Sequence, residues 1–203
     1  MLSELAPVMS EENEILAENA LHHRLLQALK SDLSRSRFEH VVQTALYSRN
    51  LAGTANAPAL LEKAVTAALL HDLTKEKPEA FHLQMFQRAG RENLRDLPRA
   101  LWHGQSAAIA AELDWQIEDP EVLEAVSCHS SGKKNMGLLA CILFGADFLA
   151  SLPPKKARHL GRKPLGQICL KKITSTIAYL MAENQIIHED AFACYNWLIQ
   201  SHA

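Results

Sequence analysis

The sequence lacks a basic charge excess and long apolar runs. Its 21 Lys and Arg residues against 23 Asp and Glu residues give a formal net charge of −2, which argues against general nucleic-acid binding. No uninterrupted apolar stretch reaches the roughly 18 residues that a membrane-spanning helix needs. Glutamates interrupt the first segment, so we see no basic-then-apolar leader. We therefore expect a soluble, cytoplasmic protein without a membrane partner.

The chain also has few cysteines, and none of them form a motif. The four are Cys128, Cys141, Cys169 and Cys194, without any C-x-x-C spacing. This excludes a zinc knuckle, a thioredoxin-like redox motif and a secreted disulfide scaffold. We predict free, mostly buried thiols in a reducing compartment.

What is present is helical periodicity over a substantial apolar fraction. Apolar residues make up 48% of the 203 residues, enough for one domain with one core. Leu21, Leu25 and Leu29 recur at i, i+4, and almost no stretch alternates like a strand. We predict an all-α fold of about eight to ten helices, with Gly53 ending the second. The expected helices cover 10–30, 36–51, 58–71, 79–89, 103–113, 120–129, 137–152, 165–183 and 188–200.

The pair His71-Asp72 directly follows the apolar run 64–70. Burying a carboxylate beside an imidazole is costly unless a cation or hydrogen bonds satisfy both groups. A single histidine is more often a hydrogen-bonded core residue than a ligand. The pair, however, belongs to an ordered series in which each member adjoins an apolar helical stretch. The series favours metal binding, and its other members are His40, His103, His129 and Asp147.

The donor set narrows the kind of metal site. Six ligands exceed the four of a closed structural zinc site. Imidazole nitrogens with carboxylate oxygens suit iron, manganese, cobalt or zinc. The set fits two metals that share one carboxylate, which leaves positions open for water and phosphate. Two cations roughly 3.5–4 Å apart can ionise a water and stabilise charge on phosphoryl oxygens.

The blocks around these residues resemble the HD-domain phosphohydrolase superfamily, and most closely its bacterial YqeK-type branch, the symmetrical diadenosine tetraphosphate hydrolases. The resemblance begins near residue 34. It therefore implies a domain over 34–203. Residues 1–33 carry none of its signature, and we expect them to form a helical extension that packs on the core. The blocks are Arg37-Phe38-Glu39-His40, Leu70-His71-Asp72-Leu73-Thr74-Lys75, Trp102-His103-Gly104, Cys128-His129-Ser130-Ser131-Gly132 and Gly145-Ala146-Asp147-Phe148.

The resemblance also implies roles for these residues. It implies two divalent or trivalent metal ions, iron first and manganese or cobalt as alternatives. Asp72 bridges the ions, and Asp72 and Lys75 are the implied catalytic residues. His40, His71 and Asp147 complete the coordination of one metal ion, and His103 and His129 complete that of the other.

Substrate contacts are expected from three places. Lys75, a compact cation three residues after Asp72, is placed to hold a phosphate oxygen. Ser130, Ser131 and Gly132 offer hydroxyl and backbone N–H groups on a loop after a ligand. Arg158 is the candidate for pairing with the distal phosphates of a dinucleotide.

The function implied is cleavage of diadenosine tetraphosphate to two ADP by a hydroxide held at the metals. Two alternatives stay open. Thr74 stands where the family has Ala or Gly. After the last ligand helix the family has an arginine, whereas this chain has Pro153-Pro154 and only later Arg158. These two departures motivate the first alternative, a general nucleotidase or phosphodiesterase on the same site. The second alternative is a nucleotide-binding regulatory module with little turnover. A homodimer is compatible with the sequence.

Overall fold

The computed structural model describes residues 19–202, and that range contains ten α-helices and no strand. Short 3₁₀ helices cover Pro58–Leu60, Glu92–Asp96 and Arg99–Leu101. The all-α prediction is confirmed. The α-helices are α1 (Ala20–Asp32), α2 (Arg35–Thr54), α3 (Leu61–Leu70), α4 (Glu79–Arg88), α5 (Trp102–Asp114), α6 (Pro120–Cys128), α7 (Leu138–Ala150), α8 (Pro154–Leu160), α9 (Leu165–Ala182) and α10 (Glu189–His202).

Helices α3 and α7 form the centre of the fold. Every residue of α3 from Ala64 to Leu70 is buried, and α7 is buried from Ala140 to Ala146 except at Cys141. Helices that are apolar on nearly all sides pack in a core. Accordingly, α3 packs against α2, α6 and α7, while α7 also packs against α6 and α9. Polar groups on or just beyond these two helices therefore lie near the middle of the molecule.

Two features of the helix boundaries differ from the sequence predictions. The prediction that Gly53 ends its helix was wrong, because α2 continues to Thr54 and the residue with left-handed φ (52°) is Asn56. A packed helix can continue through glycine at a cost of about 1 kcal/mol. The basic stretch after Pro153 contains a further helix, α8, with Pro154 in its first turn.

Helix α1 shares the core of the rest of the chain. It begins after Asn19, whose side chain accepts a hydrogen bond from the His22 amide. Leu25 and Leu29 are fully buried, and the His22 ring lies 2.7 Å from the hydroxyl of Thr66 on α3. The predicted helix start at residue 10 lies outside the described residues. The division at residue 33 stays a prediction.

The cysteine prediction is confirmed: all four thiols are free, and only Cys141 is partly exposed. Between residues 19 and 202, no helix combines the length and the apolar character that crossing a membrane requires.

Candidate metal centre

All six predicted ligands converge on one place. His40 lies in the middle of α2, and Asp147 lies on α7. His71 and Asp72 form the turn after α3, His103 lies in the first turn of α5, and His129 follows α6. Five helices that are far apart in the sequence, or the turns that follow them, thus contribute donors to one cluster.

The distances divide the cluster into two overlapping halves. In one half, His40 Nε2 lies 2.9 Å from Asp147 Oδ1, and His71 Nε2 lies 3.4 Å from Asp72 Oδ2. In the other half, His103 Nε2 and His129 Nε2 lie 3.5 and 3.8 Å from Asp72 Oδ1. The Asp72 carboxylate therefore presents one oxygen to each half, as a bridging ligand must.

Two sets of three donors are close enough to hold an ion. In the sets His40, His71, Asp147 and His71, Asp72, His129, the donor atoms all lie within 4.8 Å of one another. Metal–ligand bonds are about 2 Å long, so ligands of one ion are separated by distances in this range. His103, whose Nε2 lies 3.2 Å from that of His129, adjoins the second set.

Helix ends fix the orientation of two rings. The Nδ1–H of His71 donates to the Ala68 carbonyl at 2.6 Å, and that of His129 donates to the Val126 carbonyl at 2.7 Å. Both rings therefore turn Nε2 towards the cluster. His71 Nε2 is buried and forms no hydrogen bond among the described residues. A buried ring nitrogen without a hydrogen bond is uncommon, and a metal ion between it and the nearby Asp72 and Asp147 oxygens would satisfy it.

The charges of the cluster suit cation binding. Burial alone would raise the pKa of Asp72, but His71 and the neighbouring imidazoles lower it overall. Burial and the charge of His71 lower the pKa of His129 to about 4, and burial with the charge of His129 lowers that of His103. Burial opposes the charged form of His71 too, yet Asp72 raises its pKa. Ionised carboxylates and neutral imidazoles are the forms that bind metals. The pKa shifts of Asp72, His103 and His129 favour these forms, whereas the raised pKa of His71 means that this ring would lose a proton when a metal binds.

Two cations that contact the cluster were not predicted. Arg37 Nη1 donates to Asp72 Oδ2 at 2.8 Å. Lys172 Nζ donates to Asp147 Oδ2 at 2.6 Å and to the His129 carbonyl at 2.7 Å. Lys172 also lies 4.1 Å from the centre of the Phe144 ring. Each cation binds one carboxylate of the cluster, and Lys172, which lines the same cavity wall as Asp147, connects the two halves.

Thr74 lies next to the cluster, in the turn after α3 and beside helix α5. It is buried, its hydroxyl donates to the His103 carbonyl at 2.9 Å, and it lies 2.7 Å from the Ser106 hydroxyl. Ser106 lies 2.7 Å from Nδ1 of the buried His82. Thr74 therefore ties the turn after α3 to α5 and does not line the cavity beside the cluster.

A cavity of about 560 Å³ opens beside the cluster, and Asp147 and His103 form part of its wall. Lys75, Ser130 and Ser131, three of the residues predicted to contact substrate, line it. Lys75 Nζ lies 3.1 Å from His103 Nε2, and Ser130 Oγ lies 3.1 Å from the Nε2 atoms of His103 and His129. Two exposed apolar side chains, Tyr179 and Ile186, also line the cavity.

The structure does not bring Gly132 and Arg158 into this cavity. Gly132 has φ +64°, and its N–H donates to the Cys128 carbonyl at 2.8 Å. A Cβ on Gly132 would lie 2.5 Å from Cys194 Sγ. Arg158 lines a separate cavity between α2 and α8. The proposed substrate contacts of both residues stay predictions.

Gly132→Ala should destabilise the protein by about 2–4 kcal/mol. The alanine would have to adopt the left-handed φ of this position, and its Cβ would clash with Cys194. Urea unfolding measures the loss. Gly137→Ala is the matched control, since Gly137 has φ −62° and nothing lies within 4 Å of its added Cβ. Equal stability of the two variants would show that the close approach to α10 is not rigid.

The comparison with known proteins agrees with this geometry. Residues 37–152 match the family model of the HD domain. The chain belongs to the HD domain family. The fold of this HD-domain protein is also that of a crystal structure described as a predicted HD superfamily hydrolase involved in NAD metabolism, from Clostridium acetobutylicum. The two are 26% identical with a TM-score of 0.78, over 89% of this chain and 97% of the other.

Two curated relatives of the HD-domain protein carry the same name, "Bis(5'-nucleosyl)-tetraphosphatase, symmetrical". The one from Bacillus subtilis (strain 168) is 30% identical over 182 residues, which cover 86% of this chain and 95% of the relative. The one from Halalkalibacterium halodurans is 30% identical over 185 residues, covering 87% and 96%. The similarity therefore extends beyond the HD domain over nearly the whole length of both relatives.

Proposed function

We propose that this chain is a metal-dependent hydrolase that cleaves diadenosine tetraphosphate symmetrically into two ADP. The observation that carries the proposal is the Asp72 carboxylate, which lies between two sets of histidine donors, beside a cavity whose wall includes His103 and Asp147 of the same cluster. Both curated relatives, matched over nearly their full length, are named for symmetrical cleavage of such a substrate.

The proposed cofactor is a pair of metal ions held by the six clustered side chains, with iron as first choice and manganese or cobalt as alternatives. The mixed nitrogen and oxygen donors and the unpartnered His71 Nε2 support metal binding. When bound, such ions lower the pKa of water and stabilise charge on phosphoryl oxygens. Asp72 would contact both ions, because one of its oxygens faces each half of the cluster.

The reaction is a displacement at phosphorus. A water oxygen forms a bond to one β-phosphorus, and the bond from that phosphorus to the central bridging oxygen breaks. The bridging oxygen leaves as part of the second ADP, and the proton of the water passes to solvent. Lys75 Nζ faces the cavity beside His103 and can neutralise charge on the departing phosphate, while the Ser130 hydroxyl can donate to a phosphoryl oxygen.

The large cavity suits one nucleotide half of the substrate. Its volume of about 560 Å³ lies within the roughly 300–1,000 Å³ of small-molecule sites. Lys75 and Ser130 lie beside the histidines of the cluster, whereas Tyr179 and Ile186 offer apolar surface elsewhere in the wall. Phosphates near the cluster and a base or ribose near Tyr179 would match this distribution.

The test is to incubate pure protein with iron, manganese or cobalt and the dinucleotide in oxygen-18-labelled water. We expect ADP as the single nucleotide product, with label in the β-phosphate of one of the two molecules. A chelator should abolish the reaction. Formation of AMP and ATP would contradict symmetric cleavage, and a strong preference for a nucleoside monophosphate would favour the general nucleotidase. Tight nucleotide binding without turnover would favour the regulatory module. A cytoplasmic location and a homodimer stay predictions.

A further inference from the structure

A second polar cavity, of about 350 Å³, lies between α2 and α8. Gln43, Tyr47 and Asn50 line it from α2, and Arg158 and Arg162 line it from α8 and the turn beyond. The remaining lining residues are uncharged. The cavity therefore offers two cations and no carboxylate, which is a composition suited to an anionic ligand.

The two arginines are available for such a ligand. Both are exposed, and neither forms a hydrogen bond or ion pair within residues 19–202. Some other surface cations do have acidic partners, such as Arg88 with Asp114 and Lys63 with Asp119, but the arginines differ from the unpaired surface lysines because they line a concave site. Guanidinium groups bind phosphate oxygens in a bidentate manner, so a pair of them at a concave site favours a diphosphate.

A polar face of α2 leads from the metal cluster to this cavity. His40, Gln43, Tyr47 and Asn50 follow one another at spacings of three, four and three residues, so they share one side of the helix. All four are at least partly exposed. Gln43, the first residue of α2 that lines this cavity, follows His40 by three residues, or about 4.5 Å along the helix axis. The second cavity therefore begins about one turn from the cluster.

The cluster is open on the side where this face begins. The side chains of His40 and Asp147 are 16% and 20% exposed, whereas that of His71 is fully buried. Asp147 also forms part of the wall of the large cavity. The contact between His40 and Asp147 thus lies between the large cavity on one side and the polar face of α2 on the other.

We propose that the second cavity binds the distal nucleoside diphosphate half of the substrate, with Arg158 and Arg162 on its phosphates and Tyr47 beside its nucleoside. The inference rests on the proposed function, because symmetric cleavage at the cluster requires that an ADP unit extend to each side. The cavity of about 560 Å³ would hold one ADP unit. The other ADP unit would lie along the polar face of α2 and reach the two arginines.

The test compares two double variants that remove the same charge from the same region. R158A/R162A should raise the KM for diadenosine tetraphosphate roughly 10- to 100-fold, as expected for the loss of charge-assisted phosphate contacts, with a much smaller change in kcat. K155A/K156A is the control, since both lysines are exposed and line neither cavity. Its KM should stay within about two-fold of the wild type, because long-range charge is screened by salt.

A binding measurement complements the kinetics. Calorimetric titration of the manganese-loaded protein with ADP should give two sites for the wild type and for K155A/K156A, and one for R158A/R162A. Both arginines are exposed and unpartnered among the described residues, so the melting temperature should not change.

The outcomes separate the two proposals. If the wild type makes ADP and R158A/R162A behaves like K155A/K156A, this inference is wrong and the proposed function stands. If the wild type makes no ADP from the dinucleotide with any of the three metals, both are wrong.

Discussion

Asp72→Asn should remove both metal ions and lower kcat/KM for the dinucleotide by about a thousand-fold or more, the upper end of what one electrostatic group contributes. The physical reason is the position of the carboxylate. Its Oδ2 faces His71 at 3.4 Å, and its Oδ1 faces His103 at 3.5 Å. Asparagine keeps the volume but removes the negative charge and one of the two oxygens. The half with His103 and His129 then loses its carboxylate ligand, and the half with His40 and His71 keeps only Asp147.

Metal analysis and steady-state kinetics of the same sample check this expectation. Asp114→Asn is the matched control, because Asp114 is also a carboxylate paired with an arginine, Arg88, but is exposed at the far end of α5. The control should keep its metal content and activity. An Asp72→Asn variant that retained two ions per chain would contradict the bridging role of Asp72.

Lys172→Met should destabilise the metal-free protein by about 3 kcal/mol, the lower end of the range for breaking a buried ion pair. Lys172 is buried, and its ammonium group donates to Asp147 and to the His129 carbonyl. Methionine keeps most of the length of the lysine side chain but leaves the Asp147 carboxylate without this cation. In the metal-loaded protein the loss should be smaller, because ions beside Asp147 supply positive charge there.

Urea unfolding with a chelator and with excess manganese measures both effects. Lys171→Met provides the control, since Lys171 is the exposed neighbour on the same helix. We expect the control to change the free energy of unfolding by less than about 0.5 kcal/mol. An equal loss for Lys172→Met with and without metal would contradict a role for Lys172 at the metal centre.

The six clustered donors could be predicted from the sequence because each adjoins an apolar helical stretch. The run Ala64 to Leu70 has to be buried, so the groups that follow it, His71 and Asp72, are carried into the interior. The same reasoning applies to Asp147, which interrupts the apolar helix α7. Periodicity also predicted the helices, although it could not show that packing would carry α2 past Gly53.

The cations around the cluster depend on tertiary contacts that no local pattern determines. Lys172 nevertheless left a signal that could have been used, since it shares a helix stripe with Ile168, Cys169 and Ile173 and so lies on the buried face of α9. The packing role of Gly104 is another feature that sequence reasoning missed, although the residue belongs to one of the blocks that carry the family resemblance. A Cβ there would lie 3.1 Å from the Ser127 carbonyl and 3.3 Å from the His129 ring. Close approach of two helices is visible only in three dimensions.

The placement of Arg158 shows a further limit. Pro153 and Pro154 end α7 and begin α8, and the direction of the chain after them decides which cavity the arginine reaches. The sequence made Arg158 a candidate for the distal phosphates of a dinucleotide, but it could not show that Arg158 lines a second cavity beside α2, together with Arg162, and not the cavity beside the cluster.

Anomalous diffraction from crystals of the manganese-loaded protein tests the central claim most directly. We predict two peaks roughly 3.5–4 Å apart, each about 2 Å from its ligand atoms, with Asp72 in contact with both. Peaks elsewhere on the surface, or none at the cluster under saturating manganese, would contradict the dinuclear centre.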